Sequence, residues 1–351
     1  MKNNAPSALL AGLSLLLGAV PAAQAQVRLP RLVSDGMVLQ RDAPMRIWGW
    51  AAPGEKLTVA FQGKTYPATT GTDGQWRVTL PAMKAGGPYE LKIDASNHLV
   101  VKDILLGDVW FCAGQSNMEL PMRRVRDKYP QEVATANNPR IRQFDVPMRY
   151  DFRGPKTDVS GGSWVAVTPA TIQNFTAVGY FFAKEINAKY QVPVGLIKVA
   201  VGGSPAEAWL SADALKQFPK YEQQVAPYRD SAAVFGIRQR EGAAVSDWYK
   251  HLHQADLGEA PGQVKWSSPS YDASGWATMN VPGYWANETP LGMVNGVLWF
   301  RKEVEVPAAM AGQAGRLELG TLVDADSTYI NGQLVGTTAY QYPPRKYDFG
   351  R

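Results

Sequence analysis

The sequence predicts a parallel α/β core that lies between two regions of antiparallel β-structure. From about residue 27 to 100, apolar and polar side chains alternate as they do in half-buried strands. Between about 104 and 201, continuous apolar runs flank a segment with helical spacing, which is typical of buried parallel strands joined by a helix. The alternation returns after about residue 226. We therefore divide the chain after its leader into 26–103, 104–226 and 227–351.

The first β region contains four alternating segments that are separated by turns rich in glycine and proline. These segments are Met45–Trp50, Leu57–Phe61, Gln75–Leu80 and Tyr89–Ile93. Short strands at this spacing predict a small antiparallel β-sandwich over 26–103.

The central region begins with the apolar run from Ile104 to Cys112, which predicts a strand that is covered on both faces. A helix with one apolar face is predicted downstream by five residues at helical spacing: Val178, Phe181, Phe182, Ile186 and Tyr190. Pro193 ends this helix, and Val194–Val201 predicts a second buried strand.

The third region opens with a polar segment that contains His251 and His253. Alternating strands are predicted after it at Val297–Arg301, Arg316–Leu319, Ser327–Ile330 and Gln333–Val335. Asn331-Gly332 is the two-residue turn that favours a tight hairpin between the last two. We predict a second β-sandwich over 227–351, incomplete because it has too few strands to close a sheet.

The N-terminal residues have the pattern of a secretory signal peptide. Lys2 precedes a short apolar run, and Ala23-Gln24-Ala25 supplies the small residues of a cleavage site. The signal peptide is therefore predicted over 1–25, and the protein is expected to be exported to the periplasm or secreted. Because no cysteine stands at this junction, no lipid or membrane anchor is predicted.

Composition argues against several classes of function. The net charge of +5 is mild, and the basic residues are scattered apart from Arg123–Arg126, so no nucleic-acid partner is predicted. The single cysteine, Cys112, rules out an intramolecular disulfide and is expected to be a buried apolar side chain. With three scattered histidines and no cysteine pair, we predict neither a metal site nor a cofactor.

Ser116 is the candidate nucleophile. Gly114 allows a tight turn after the first apolar strand, so Ser116 is presented at a strand end, where open α/β sheets place their ligands. If a helix begins just after Asn117, its free N–H groups could stabilise an oxyanion formed by attack on an ester carbonyl. The alternative is that Ser116 or Asn117 only caps that helix, and spacing alone favours neither interpretation.

A second turn, Gly202-Gly203, follows the other apolar strand. Glycines let the backbone approach a ligand closely, and one N–H could be a second oxyanion donor. Ser204, with proline next and Glu207 three residues on, predicts a capping box at the start of a helix. Trp209 is expected to lie in the core.

A serine nucleophile needs a base, normally a histidine that is held by a carboxylate. The candidates are His98, His251 and His253, and none of them follows a core strand, so each is interpreted as a surface histidine. Asp108 is interpreted as a residue that supports the fold. The base of the reaction is therefore not identified in this sequence.

Three stretches of the chain resemble the sialate O-acetylesterase family of SGNH hydrolases. They are Met37–Arg41, Gly107–Glu119 and Val194–Trp209, in the order that the family has. The resemblance implies an SGNH-hydrolase-like parallel sheet, of which this chain would hold the N-terminal half. It also implies an inserted galactose-binding-like β-sandwich, because Ser274–Trp276 and Tyr329–Gly332 are similar to such domains.

The resemblance implies hydrolysis of the acetyl esters of O-acetylated sugars through a serine acyl-enzyme. Ser116 would be the nucleophile, the N–H groups of Ser116 and of Gly202 or Gly203 would form the oxyanion hole, and Gln115 and Asn117 would lie near the substrate. The family's remaining catalytic residues would lie beyond residue 351, so we expect a C-terminally truncated chain without activity of its own.

The sequence leaves several functional alternatives open. The substrate would be a sialic acid, acetylated at its 9-hydroxyl, or an acetylated plant polysaccharide such as acetyl-xylan. A non-catalytic glycan-binding protein is the alternative from another class, because tryptophan and tyrosine side chains can stack on sugars. The oligomeric state is not predicted.

Overall fold

The computed structural model describes residues 26–288, 291–292 and 294–350, so the predicted signal peptide lies outside the described residues. The chain forms two compact units. The first contains the residues up to Tyr150 together with Gly154–Ser211, and the second contains Asp151–Arg153 and the residues from Ala212 onwards. The domain boundaries drawn from the sequence stay predictions. No helix in the described ranges has both the length and the apolar character needed to cross a membrane.

The first unit opens with seven strands. They are β1 Val38–Gln40, β2 Met45–Trp50, β3 Lys56–Phe61, β4 Lys64–Thr69, β5 Gln75–Leu80, β6 Gly86–Asp94 and β7 His98–Gly114. Strands β2 and β5 form an antiparallel pair, and β4, β3, β6 and the first half of β7 form an antiparallel sheet. The four strands predicted for this region are confirmed.

Alternate side chains of these two sheets are buried in one apolar cluster. Ile47 and Leu80 come from the pair β2–β5, whereas Val59, Ile93 and Ile104 come from the larger sheet. The period-two pattern of the sequence therefore records burial on one face of each strand. A separate sandwich domain over 26–103 stays a prediction.

The α/β part of the first unit follows directly. Its elements are α1 Ser116–Glu119, α2 Pro130–Thr135, β8 Asn138–Asp145, β9 Trp164–Val167, α3 Ala177–Tyr190 and β10 Val194–Ala200. Strand β10 lies between β7 and β8 and is parallel to both, while β9 is antiparallel to β8. A mixed sheet with helices thus forms the predicted α/β core.

Strand β7 belongs to both parts of this unit. Its 17 residues pair with β6 in the first half and with β10 in the second half. It therefore continues through position 103/104, where the sequence pattern changes from alternating to continuous.

The second half of β7 is not covered on both faces, so that prediction is wrong. Trp110 is 45% exposed and Phe111 is 70% exposed, whereas Cys112 is 4% exposed. Helix α3 packs on the face that holds Cys112 and Trp110, where the Phe182 ring lies 4.9 Å from the Trp110 ring, whereas Phe111 points to the opposite face.

Helix α3 is confirmed, but its buried face differs from the predicted one. The buried residues are Ala177, Gly179, Tyr180 and Ala183. Of the predicted face, Phe181 and Ile186 are partly buried against the same apolar cluster, whereas Val178, Phe182 and Tyr190 are exposed. Small residues face the sheet because the helix approaches it closely. A Cβ atom added to Gly179 would stand 2.9 Å from the Cys112 Sγ.

The second unit contains helices followed by short strands. They are α4 Ala212–Leu215, α5 Pro219–Val225, α6 Ser231–Ala255, β11 Gly315–Gly320, β12 Asp326–Ile330, β13 Gln333–Thr338 and β14 Arg345–Phe349. Strands β11 and β14 pair, as do β12 and β13. The hairpin turn is confirmed, with positive φ angles of 48° at Asn331 and 84° at Gly332. The second sandwich stays a prediction.

One element of this unit was not predicted, and one prediction is wrong. The polar segment that contains His251 is the 25-residue helix α6, which buries none of its side chains and so shows no apolar stripe. Val297–Arg301 is not in a strand. It is held instead by side-chain bonds, among them the one from the Trp299 indole N–H to Asp256 Oδ1 at 2.8 Å.

Candidate functional site

Ser116 is exposed at the start of α1, directly after β7. Gly114 turns the chain there with a φ of 145°, a conformation that side chains with a Cβ rarely adopt. The N-cap position is held by Gln115, and no side chain caps the helix. The interpretation of Ser116 as a helix cap is therefore wrong, and its hydroxyl accepts no N–H group of the helix.

The two glycine-bearing turns meet because the strands that precede them are parallel neighbours. Ala200 at the end of β10 pairs with Gly114, and the Val201 N–H donates to the Gly114 carbonyl at 2.9 Å. A Cβ atom added to Gly202 would lie 3.6 Å from the Ser116 Oγ. The candidate nucleophile and the second turn thus lie side by side, as the sequence predicts.

Two side chains of the Ser116 segment bind the second turn. The Gly202 N–H donates to the carboxylate of Glu119, and the Gln115 Nε2 donates to the Ser204 carbonyl at 3.1 Å. The role of Glu119 was not predicted from the sequence. The available signal was its spacing, because a residue three positions after Ser116 lies on the same face of a helix.

The Gly203 N–H differs from its neighbour. Gly203 has a φ of 75°, and the space where its Cβ would stand is open. Within the described residues its N–H makes no hydrogen bond. Of the two glycines proposed as oxyanion donors, Gly203 is the one with a free donor.

The predictions for Ser204 and Trp209 are wrong. A short 3-10 helix covers Ala206–Trp209, Pro205 is its N-cap, and no side chain caps it. The Ser204 Oγ instead donates to the Val201 carbonyl at 2.7 Å and accepts the Trp209 indole N–H at 3.0 Å. Trp209 is 40% exposed, so it braces the turn from the surface rather than filling the core.

One of the three histidines belongs to the first unit, and the other two belong to the second unit. His98 is the first residue of β7, at the end opposite Ser116, and its Nδ1 lies 2.5 Å from the Asp94 Oδ1. His251 and His253 lie on α6, where the His251 Nδ1 is 2.7 Å from the Asp247 carbonyl. His98 is the only histidine among residues 26–211, so the first unit supplies no histidine base beside Ser116.

Asp108 supports the strand that carries the candidate nucleophile. Its carboxylate accepts hydrogen bonds from Arg41 Nε at 2.8 Å and Nη2 at 3.2 Å. The Gln40 Oε1 accepts the Val109 N–H at 2.9 Å. The stretch Met37–Arg41, which resembles the family pattern, therefore fixes the middle of β7.

The thiol nearest to the site in sequence is unreactive by environment. Cys112 is buried, as predicted, and burial raises the pKa of its thiol to about 11. The described residues also contain no group of three or more histidine, cysteine or acidic side chains that could hold a metal ion. The polar atoms around Ser116 are thus a hydroxyl, a carboxylate, an amide and backbone N–H groups, which suit chemistry at an ester carbonyl.

The chain is similar to known carbohydrate esterases. Residues 106–239 match the model of the family described as carbohydrate esterase, sialic acid-specific acetylesterase. The chain is 30% identical to the human (Homo sapiens) sialate O-acetylesterase over 234 residues, which are 62% of this chain and 45% of that protein. It is 33% identical to the rat (Rattus norvegicus) sialate O-acetylesterase over 208 residues, 54% of this chain and 38% of that protein.

A solved structure gives a similar result. A novel carbohydrate acetylesterase from Xanthomonas citri is 47% identical and superposes with a TM-score of 0.53, over 54% of this chain and 44% of that one. The chain spans less than half the length of the curated relatives that it matches. The matched residues include the second half of β7, Ser116 and the Gly202-Gly203 turn. Over these residues the chain is similar to the sialate O-acetylesterase family.

Proposed function

We propose that this protein is a carbohydrate O-acetylesterase in which Ser116 attacks the acetyl ester of a sugar. The observation that carries the proposal is that the exposed Ser116 hydroxyl, which caps no helix, lies beside the Gly202-Gly203 turn. Nucleophile and oxyanion donors must both surround one carbonyl group, and two adjacent strand ends supply that arrangement. The family match spans both turns.

In the proposed reaction, the Ser116 Oγ forms a bond to the acetyl carbonyl carbon as a base takes its proton. The carbonyl electron pair moves to oxygen, and the oxyanion is stabilised by the Ser116 N–H and by the free N–H of Gly203. Its collapse breaks the ester bond, and the sugar hydroxyl leaves with a proton. Water then attacks the acetyl-enzyme and releases acetate. Because α1 has only four residues, these N–H groups act individually rather than through a helix dipole.

The base is not assigned within the first unit. His98 is excluded because it lies at the far end of the strand that precedes Ser116. His251 and His253, which the sequence interpretation sets aside, are tested by alanine substitution. Loss of acetate release in either variant, with the fold intact, would show that the sequence interpretation sets aside the wrong residues.

The proposed substrate is an O-acetylated sialic acid, with acetylated plant polysaccharide as the second candidate. The family description and the curated relatives name sialic acid or sialate. The solved relative at 47% identity is described more broadly, as a carbohydrate acetylesterase, which supports keeping the second substrate. The predicted signal peptide supports action in the periplasm or outside the cell.

The test is release of acetate from 9-O-acetylated sialic acid and from acetyl-xylan by the full-length protein. We expect Ser116→Ala to lower turnover by about 10³-fold or more, because the acyl-enzyme cannot form. Ser160→Ala, at an exposed serine outside the site, is the matched control. Undiminished turnover in Ser116→Ala would refute the assignment of Ser116 as the nucleophile. Sugar binding without acetate release by the wild-type protein would support the glycan-binding alternative.

A further inference from the structure

We propose that Glu119 is a positioning residue that fixes the Gly202-Gly203 turn against the segment bearing Ser116. The inference rests on the proposed function, since it concerns the alignment of the same nucleophile and oxyanion donors. It adds a role for a carboxylate that takes no part in the reaction described above. The geometry that carries it is a pair of side-chain bonds on either side of Ser116.

The first bond runs from the turn to the helix. The Gly202 N–H donates to the Glu119 Oε2, and the two residues are 83 positions apart in the sequence. Hydrogen bonds to a charged acceptor are about twice as strong as bonds between neutral groups. The backbone of Gly202 is therefore held by the residue three positions after the nucleophile.

The second bond runs from the helix to the turn. The Gln115 Nε2 donates to the Ser204 carbonyl at 3.1 Å, and Gln115 directly precedes Ser116. Gln115 thus binds the turn at Ser204, and Glu119 binds it at Gly202. The free Gly203 N–H belongs to the residue between these two contacts. We call Gln115 and Glu119 together the turn clamp. It sets where the Gly203 N–H lies relative to the Ser116 Oγ.

The glycine at position 202 follows from the same contact. A Cβ atom there would stand 2.7 Å from the Glu119 Oε2, closer than real Cβ contacts, and 3.6 Å from the Ser116 Oγ, an ordinary contact. The backbone of Gly202 does not need a positive φ. Its lack of a side chain leaves room for the carboxylate, so Gly202→Ala disturbs the clamp from the opposite side without straining the turn.

A carboxylate can affect this site in three distinguishable ways. It can position the turn through an acceptor oxygen, or it can act as a base. It can also mask a donor that the oxyanion needs. The amide oxygen of glutamine accepts the Gly202 N–H but takes up no proton, so Glu119→Gln separates positioning from action as a base. Glu119→Ala, which removes the acceptor, separates positioning from masking, because it raises kcat if the carboxylate masks a donor.

The experiment measures kcat and KM for acetate release by the full-length protein with Glu119→Ala and Glu119→Gln. We expect the alanine variant to lose about 100-fold in kcat with KM nearly unchanged, because a misplaced donor weakens the transition state and not substrate binding. We expect the glutamine variant to retain most of the activity. Glu185→Ala, at an exposed glutamate of α3, is the matched control.

Gly202→Ala extends the test to the other side of the contact. We expect it to lower kcat like Glu119→Ala, and the double variant to be no worse than the poorer single variant, because both remove one interaction. Thermal unfolding of every variant is compared with the wild type. If Glu119→Ala does not fold, Gly202→Ala and Glu119→Gln still test the positioning role of Glu119.

Several outcomes would overturn the inference. Wild-type kcat in Glu119→Ala would show that the clamp has no role, and increased kcat would show that the carboxylate masks a donor. Equal losses in the alanine and glutamine variants would indicate charge or proton transfer instead of positioning. In each of these cases an inactive Ser116→Ala leaves the proposed function standing. A fully active Ser116→Ala would refute that function itself.

Discussion

Arg41 binds both carboxylate oxygens of Asp108, through Nε at 2.8 Å and Nη2 at 3.2 Å. The hydrogen bond that Arg41 donates to Asp108 is the main cause that raises the pKa of Arg41 above its ordinary value. The pair joins the residue after β1 to the strand that ends at the candidate nucleophile. A bidentate geometry of this kind is specific to arginine, because a lysine ammonium cannot make two parallel bonds.

We expect Arg41→Lys and Asp108→Asn to lower the midpoint of thermal unfolding, because each breaks the bidentate contact. The double variant is expected to lose less than the sum of the two single losses, since one interaction is removed in all three. Arg77→Met, at an exposed arginine of β5, is the control and should leave the midpoint unchanged. Strictly additive losses would show that the two residues act independently.

Replacing Arg142 is expected to lower the free energy of unfolding by more than a surface substitution does. The guanidinium is buried and donates to the carbonyls of Gly36, Asp103 and Pro139 and to the Asp103 carboxylate. Arg142→Met would leave these carbonyls without a donor, at an expected cost of about 2–4 kcal/mol in urea denaturation. The exposed Arg46→Met should change it by less than about 0.5 kcal/mol. Equal effects of the two substitutions would contradict this account.

Cys112 is expected to resist alkylation in the folded protein. Burial raises the pKa of its thiol to about 11, so at pH 8 only about one molecule in a thousand carries the reactive thiolate. Because only the thiolate reacts, the rate of labelling by iodoacetamide is expected to rise with pH. It is expected to stay low even at pH values well above the usual pKa of a free thiol. Mass spectrometry before and after addition of urea measures it. Rapid labelling of the native protein at pH 8 would be inconsistent with the buried position.

The neighbouring positions of Ser116 and Gly202 could be predicted, because both turns follow apolar strands and the carboxyl ends of parallel strands meet at one edge. The strands β2 and β5 could be predicted for a similar reason, since alternate burial leaves a direct trace in the sequence. In each case a local pattern reports a local environment. That is the kind of information that a single sequence carries.

The contacts that were not predicted depend on residues far apart in the chain. Glu119 binds a backbone N–H 83 positions away, and nothing in its own neighbourhood indicates that partner. Helix α6 escaped prediction because it buries no side chain, and the periodic signal of a helix comes from burial. The exposure of Phe111 was not predicted because an apolar run does not indicate which face of a strand a helix covers.

The continuity of β7 limits how this protein can be taken apart or recombined. A cut at 103/104 would divide one strand between two pieces, and each piece would expose hydrogen-bonding groups, because β6 and β1 in one piece now pair with residues 104–107 in the other. The N-terminal strands therefore cannot be exchanged for another domain at that junction. Any graft would have to keep the whole strand in register, because a shift of one residue in its first half would reach Gly114 and turn Ser116 away from the second turn.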